Sequence, residues 1–355
     1  MKRRPPTVLD VAKRASVSVG TVSNVLSGRV KVSDAKRGLV LRAISDLSYT
    51  QNKLAQGLRQ KRSPLIGLCV PFTSVSYFAA LVDAFEEVAS DRGFEIMQVL
   101  TRQEPEKELQ RVKSMLRYHV GGIMMLPSVA PQRSFDLIAE SGTPLVVIDR
   151  PTADPRFDQV TFDNYAAMHE AVSRLIALGH RHILFVVRQR LLSVTVDRVR
   201  GLEAAIRDSG KQVAVNILEC RYDEAAFISR LESELKSGQR RPTAIVVSNS
   251  LLTTWTFRAL RLFGIRCPDD VSLLSIDEPD WSDLVDPTLS TIRPPTRAIA
   301  FTAWDLLMRR MRNEAQQVDR VELRAEVIFR DSIAPPPRRK PARSEASPQR
   351  TMARS

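Results

Sequence analysis

The sequence predicts a multidomain chain: a small all-α head, then a large α/β domain in which a parallel-sheet pattern occurs twice. Three observations predict it. Residues 1–63 hold fourteen Lys or Arg against three Asp or Glu, in a chain of 355 residues with net charge +13. Apolar residues at helical spacing open the chain in two short blocks separated by a few polar residues. From Leu65 onward, short apolar runs alternate with helical patterns, which implies βαβ units.

The first helix is expected over residues 8–15. Thr7 followed by Asp10 is close to a capping box, and Val8, Val11, Ala12 and Ala15 share a face. Ser16, Val17 and Ser18 make a short turn. Ser18 is a suitable N-cap for a second helix lined by Val22, Val25 and Leu26, and Ser27-Gly28 stops it. Ser33 is placed to cap a third helix, with Leu39, Val40, Ala43, Ile44 and Leu47 facing inward. Two short helices and a tight turn, followed by a third, make helix-turn-helix geometry. A three-helix packing module with no DNA contact is the other reading of this pattern. In the first reading the second helix enters the major groove. Val19, Gly20, Thr21, Ser23 and Asn24 then meet the base edges, Asn24 by hydrogen bonding and Val19 against a thymine methyl. Ser18, Thr21, Ser23, Lys31, Lys36, Arg37 and Arg42 are candidates for phosphates, and Thr7 is a further candidate DNA contact.

In the large domain, strands are expected at 65–70, 94–100, 123–126 and 145–148, with helices at 78–92, 106–118 and 134–141. The pattern restarts after Asp163, with strands at 183–187, 213–218, 244–248 and 271–276. Helices fall at 165–178, 198–209, 224–237 and 252–263, and a late one at 299–312. Gly93, Gly142, Gly179, Gly210 and Gly264 are the stops. Ligands of such sheets bind beyond the C-terminal ends of the strands, and two facing halves place a pocket between them.

Several classes are disfavoured. No GxGxxG or Walker loop, nucleophile elbow or metal spacing occurs, so no enzyme, cofactor or metal is expected. No apolar run reaches membrane length, and no export signal opens the chain. Cys69, Cys220 and Cys267 are far apart and read as buried thiols of a cytoplasmic protein. His180 and His182 read as a loop before a strand rather than as ligands. Residues 334–355 are proline-rich and basic, and are expected to be a disordered tail without leucine heptads.

The string TVLDVAKRASVSVGTVSNVLSG at residues 7–28 resembles the head of the lactose/galactose repressor family. Ser16 departs from a glycine common at that turn, and Asn24 from a frequent arginine. Residues 49–60 resemble the family's hinge, which becomes a helix when two subunits meet on DNA. Asn52, Ala55 and Leu58 are carried over as DNA contacts, with Leu58 as an apolar wedge in the minor groove. Gln56 replaces a frequent arginine. Gly57 departs too; inside a helix it costs up to about 1 kcal/mol, so it either weakens the hinge helix or suits the packing of a pair.

The resemblance continues through VGGIMMLPS, PLVVIDR, DNYAAM, LGHRHI, PDDVSLLSIDEPDW and DPTLSTIRP, to about residue 333. It implies a periplasmic-binding-protein-like sensor of two lobes, crossed near residues 162, 292 and 325. The expected divisions are a head at 1–48, a hinge at 49–63 and a sensor at 64–333. The N-lobe spans 64–161 and 293–324, and the C-lobe 162–292 and 325–333. Effector residues implied are Tyr77, Phe78, Asp149, Arg198, Asn249, Asp277 and Trp281. Arg198 would grip ligand oxygens, Asp277 would take sugar hydroxyls, and Trp281 would stack on a sugar face. Tyr77 replaces a common proline and Ser250 a usual aspartate. The function implied is a homodimeric repressor on a near-palindromic double-stranded operator, switched by a sugar or sugar derivative. An activator of the same fold and a solute-binding module with an incidental basic leader are the alternatives.

Overall fold

The computed structural model describes Arg4 and residues 6–28, 30–49, 63–220, 223–236, 241–315 and 317–337. The hinge candidates Asn52, Ala55 and Leu58, with Gly57, lie outside the described residues, as does most of the basic tail. The chain divides into two compact units, Met1–Pro64 and Leu65–Ser355.

The first unit holds α1 (Val8–Arg14), α2 (Val19–Ser27) and α3 (Asp34–Asp46). Both arms of the Thr7–Asp10 capping box form, and Ser18 caps α2 by accepting from the Thr21 amide at 3.1 Å. Gly28 ends α2 in the left-handed region at φ 65°. Ser33 occupies the N-cap of α3 without making the expected side-chain hydrogen bond. The core is small: Val11, Ala12, Ala15, Val22, Val40 and Ala43, with Val19, Val25 and Leu26 packed against it. Leu39 is not inward as expected. It is 43% exposed, because the buried stripe of α3 runs through Val40 and Ala43.

The second unit contains two six-stranded sheets. Its elements are β1 (Leu65–Val70), α4 (Ser76–Asp91), β2 (Glu95–Leu100), α5 (Pro105–Arg117), β3 (Gly122–Met125), α6 (Gln132–Ser141), β4 (Leu145–Ile148) and β5 (Asp158–Phe162). There follow α7 (Asn164–Leu178), β6 (His182–Val187), α8 (Ser193–Ser209), β7 (Ala214–Glu219), α9 (Glu224–Leu235), β8 (Ala244–Val247) and α10 (Ser250–Leu262). The chain closes with β9 (Ser272–Ile276), β10 (Ser290–Arg293), α11 (Thr296–Met311), β11 (Arg320–Leu323) and β12 (Glu326–Ile328).

The N-lobe sheet has the order β11-β5-β4-β3-β1-β2 and is parallel throughout. The C-lobe sheet has the order β12-β10-β9-β8-β6-β7, and only β12 runs antiparallel. Central strands are buried on both faces, as sheets covered by crossover helices require. The chain passes between lobes three times: from β5 to α7, from β10 to α11, and from β11 to β12. β5 and β11 are neighbours, so two crossings lie side by side, and the Asp163 amide donates to the Leu323 carbonyl at 2.8 Å. Asp158 anchors this region in a bidentate pair with Arg310, both bonds at 2.7 Å, and accepts from the Asp319 amide. These strands, β5, β10, β11 and β12, are absent from the sequence-based expectation.

Gly201 sets the distance between α7 and α8. A Cβ there would lie 2.3 Å from the Tyr165 carbonyl oxygen, so only glycine permits this approach. Cys69 and Cys220 are buried and Cys267 is partly buried, and burial pushes the Cys220 thiol up to about 11. His180 is fully buried, bonded to Thr243 Oγ1 and the Ala334 carbonyl oxygen, both at 2.9 Å. Among the described residues no helix is long and apolar enough to cross a membrane.

Candidate functional site

Two sites emerge, one in each unit. In the head, the N-cap and first two turns of α2 carry Ser18, Val19, Gly20, Thr21, Ser23 and Asn24 among the proposed DNA contacts. Gly20 and Ser23 are exposed, while Val19, Thr21 and Asn24 are half-buried. Ser18 and Thr21 hydroxyls meet at 3.0 Å over the helix N-terminus, where amides and dipole favour a phosphate. Lys31, Lys36, Arg37 and Arg42 are exposed. The Thr7 hydroxyl donates to Asp10 at 2.7 Å and caps α1. Ser16 takes φ 52°, the left-handed conformation that a glycine adopts without strain.

In the large unit, a narrow cleft, partly open to solvent, lies between the lobes. Its walls come from the C-terminal tips of strands in both sheets. The N-lobe supplies Tyr77 and Phe78 after β1, Gln103 after β2, and Asp149 and Arg150 after β4. The C-lobe supplies Arg188 after β6, Thr195 and Arg198 on α8, Ser248 and Asn249 after β8, and Asp277 after β9. Asp149 and Asp277 each follow a strand directly, at φ 67° and 72°. That backbone turns each carboxylate off the sheet, and Asp adopts it more readily than most residues.

Tyr77 donates its hydroxyl to Asp149 Oδ1 at 2.9 Å. Asp277 accepts from the Ser250 amide at 3.3 Å, and burial pushes its carboxyl up to about 7. Arg198 is held by Asn164 Oδ1 at 2.7 Å and by the Ser248 carbonyl at 3.2 Å. Burial pulls its pKa down, and Asp277 and Asp149 oppose that. Asn249 caps α10 through the Leu252 amide at 3.0 Å. Hydrogen bonds between described residues cross the cleft. The Ser76 amide donates to Ser250 Oγ at 3.1 Å, and Arg188 Nε donates to Gln103 Oε1 at 2.8 Å.

Six of the seven effector candidates, Tyr77, Phe78, Asp149, Arg198, Asn249 and Asp277, thus line one cleft. Trp281 does not. It packs edge-on against Phe257, centroids 5.5 Å apart, on the C-lobe core, and is not among the residues lining this cleft. Gln103, Arg150 and Arg188 were missed. Their signal is a polar or charged residue just past an apolar run at a strand's C-terminal tip. Among the described residues no group of His, Cys, Asp or Glu is placed to hold a metal.

A helix-turn-helix unit followed by a two-lobed domain with a polar cleft is the build of a DNA-binding regulator. Residues 7–52 match the family described as bacterial regulatory proteins, lacI family, and residues 172–333 match a periplasmic binding protein-like domain. The HTH-type transcriptional regulator PtxS of Pseudomonas aeruginosa is 30% identical over 331 residues, 93% of this chain and 96% of that protein. Catabolite control protein A of Priestia megaterium is 29% identical over 328 residues, 92% of this chain and 98% of that protein. The lac repressor dimer bound to operator and the anti-inducer ONPF shares the fold, with TM-score 0.82 and 24% identity over 93% of this chain and all of that one. The regulator CelR in its cellobiose complex gives TM-score 0.68 and 25% identity, covering 92% of this chain and 99% of that one. The chain belongs to the lacI family of bacterial regulatory proteins, and is a DNA-binding transcriptional regulator.

Proposed function

We propose that this protein is a homodimeric repressor whose operator affinity is set by a small metabolite in the cleft. The observation that carries this is the construction of the cleft. Both lobes contribute strand-tip side chains, and hydrogen bonds Ser76–Ser250 and Arg188–Gln103 span it. A ligand seated there contacts both lobes at once and favours one lobe angle over another. The shift it achieves equals its difference in affinity for the two states, and DNA binding shifts effector affinity equally in return. Two heads would place α2 in adjacent major-groove half-sites of a near-palindromic operator. Leu58 from each subunit would enter the minor groove between them. Arg198, Asp149 and Asp277 suit a polyhydroxylated ligand such as a sugar derivative, donors and acceptors alternating around one space.

A gel shift with the promoter region beside the protein's own gene tests the reading. Specific retardation is expected, changed by metabolites extracted from cells and weakened by Leu58→Ala. Absence of specific binding with and without extract would overturn it.

A further inference from the structure

Three guanidiniums enter the cleft: Arg150 and Arg188 from strand tips in opposite lobes, and Arg198 from α8. The carboxylates lining the same space are Asp149 and Asp277. Arg150 is 3% exposed and donates Nη1 to the Pro127 carbonyl at 2.6 Å. Its Nε is buried without a hydrogen bond. The carboxylate beside it, Asp149 Oδ2, lies 3.7 Å away, near enough for an ion pair but beyond hydrogen-bond reach. Glu108 bears on Arg150 from outside the cleft, with its carboxylate turned to the Ser128 amide at 2.6 Å. Arg188 lies over the Phe72 ring, 5.0 Å from its centroid, so a C-lobe cation is pinned to an N-lobe aromatic. Arg150 and Arg188 are also near enough to repel, which helps burial pull Arg188 down to about 9. A buried donor left without an acceptor is costly, and a guanidinium fork fits the two oxygens of a carboxylate or phosphate.

We infer that the effector carries an oxyanion, carboxylate or phosphate, seated between Arg150 and Arg188, with its hydroxyls toward Arg198, Asp149 and Asp277. This rests on the proposed sensing function and names the chemistry of its signal. A neutral sugar offers the Arg150 end no charge, whereas a sugar acid or sugar phosphate supplies both hydroxyls and an anion. Arg188 is then the residue that sets specificity for charge.

The test uses the full-length protein and a bacterial metabolite extract split on an anion-exchange resin. Melting temperature and operator binding are read with each fraction. The retained, anionic fraction is expected to raise the melting temperature and change operator binding, and the flow-through to do neither. Arg188→Gln should need more than tenfold more of the retained fraction, while Arg188→Lys keeps part of the response. Phosphatase treatment of the retained fraction names the oxyanion: lost activity means a phosphate, kept activity a carboxylate. Activity in the flow-through, or an unchanged response in Arg188→Gln, overturns the inference and leaves the sensing function standing. Activity in neither fraction overturns the sensing function itself.

Discussion

Asp149 and Asp277 occupy equivalent places in the two lobes of the second unit. Each is the first residue after the fourth strand of its lobe, each has a left-handed backbone at φ 67° and 72°, and each is 4% exposed. They differ in their partners: Tyr77 hydroxyl for Asp149, the Ser250 amide for Asp277. Burial raises both carboxyls, Asp277 to about 7.

A pH dependence follows with a definite sign. Asp277 is more basic in the folded protein than its ordinary 3.8, so folding favours the protonated form. Its contribution to stability is full below about pH 4 and falls as pH rises through 7. The loss is at most roughly 4 kcal/mol, three pKa units at 1.36 each. Asp277→Asn stays neutral and tolerates the same backbone. Urea unfolding at pH 5 and pH 8 should show the wild type losing stability relative to this variant. Equal differences at both pH values would refute the expectation.

Gly201→Ala should destabilise the sensor by roughly 2–3 kcal/mol, in the range of overpacking. The new methyl would press on the Tyr165 carbonyl oxygen, which belongs to backbone and cannot rotate away. Since α8 also carries Arg198 to Asn164, displacement of the helix should weaken the effector response as well. Thermal unfolding and effector titration check the two effects together.

In the head, Ser16→Gly should be stabilising. An L-residue in the left-handed region costs about 1–2 kcal/mol, partly offset by the entropy a glycine loses on folding. A net gain of roughly 0.5–1 kcal/mol corresponds to amide exchange slowed about two- to fivefold. The Val17 amide, bonded to Ala12 at 3.0 Å, is a suitable reporter. Faster exchange there would show that the serine makes a contribution outweighing its strained backbone.

Arg198→Ala should uncouple operator binding from metabolites. It removes the donor fork that Asn164 and Ser248 aim into the cleft. Retardation of the operator should persist but cease to respond to extract. A variant that still responds fully would remove Arg198 from the effector site.

The alternation of apolar runs and helical patterns was enough to read the main strands, because strands buried on both faces show up as continuous Val, Ile and Leu. The crossover strands were not legible. DQVTF at β5 and RVEL at β11 mix charge with apolar residues, and the buried Asp158 is paired by Arg310 from 152 residues away. Cleft residues Asp149, Arg198 and Asp277 were reached through the family resemblance. Arg150 and Arg188 were not, since a charged residue at a strand tip looks alike whether it faces solvent or another lobe. Trp281 lies off the cleft lining for a related reason: it packs on Phe257 of α10, and the sequence does not reveal that contact. Helix α8 begins at Ser193, five residues before the expected start, because Leu192 and Val194 are buried at the cleft edge.

For the proposed effector sensor, the three inter-lobe crossings separate ligand recognition from the motion between lobes. Chain segments that pass between the lobes together resist twisting and sliding more than bending about the line they define. On the proposed function, strand-tip residues can therefore be exchanged, and a new ligand adopted, while the motion between the two lobes stays the same. Under that reading recognition can diverge on such a scaffold, because the crossings and not the pocket residues guide how the lobes move.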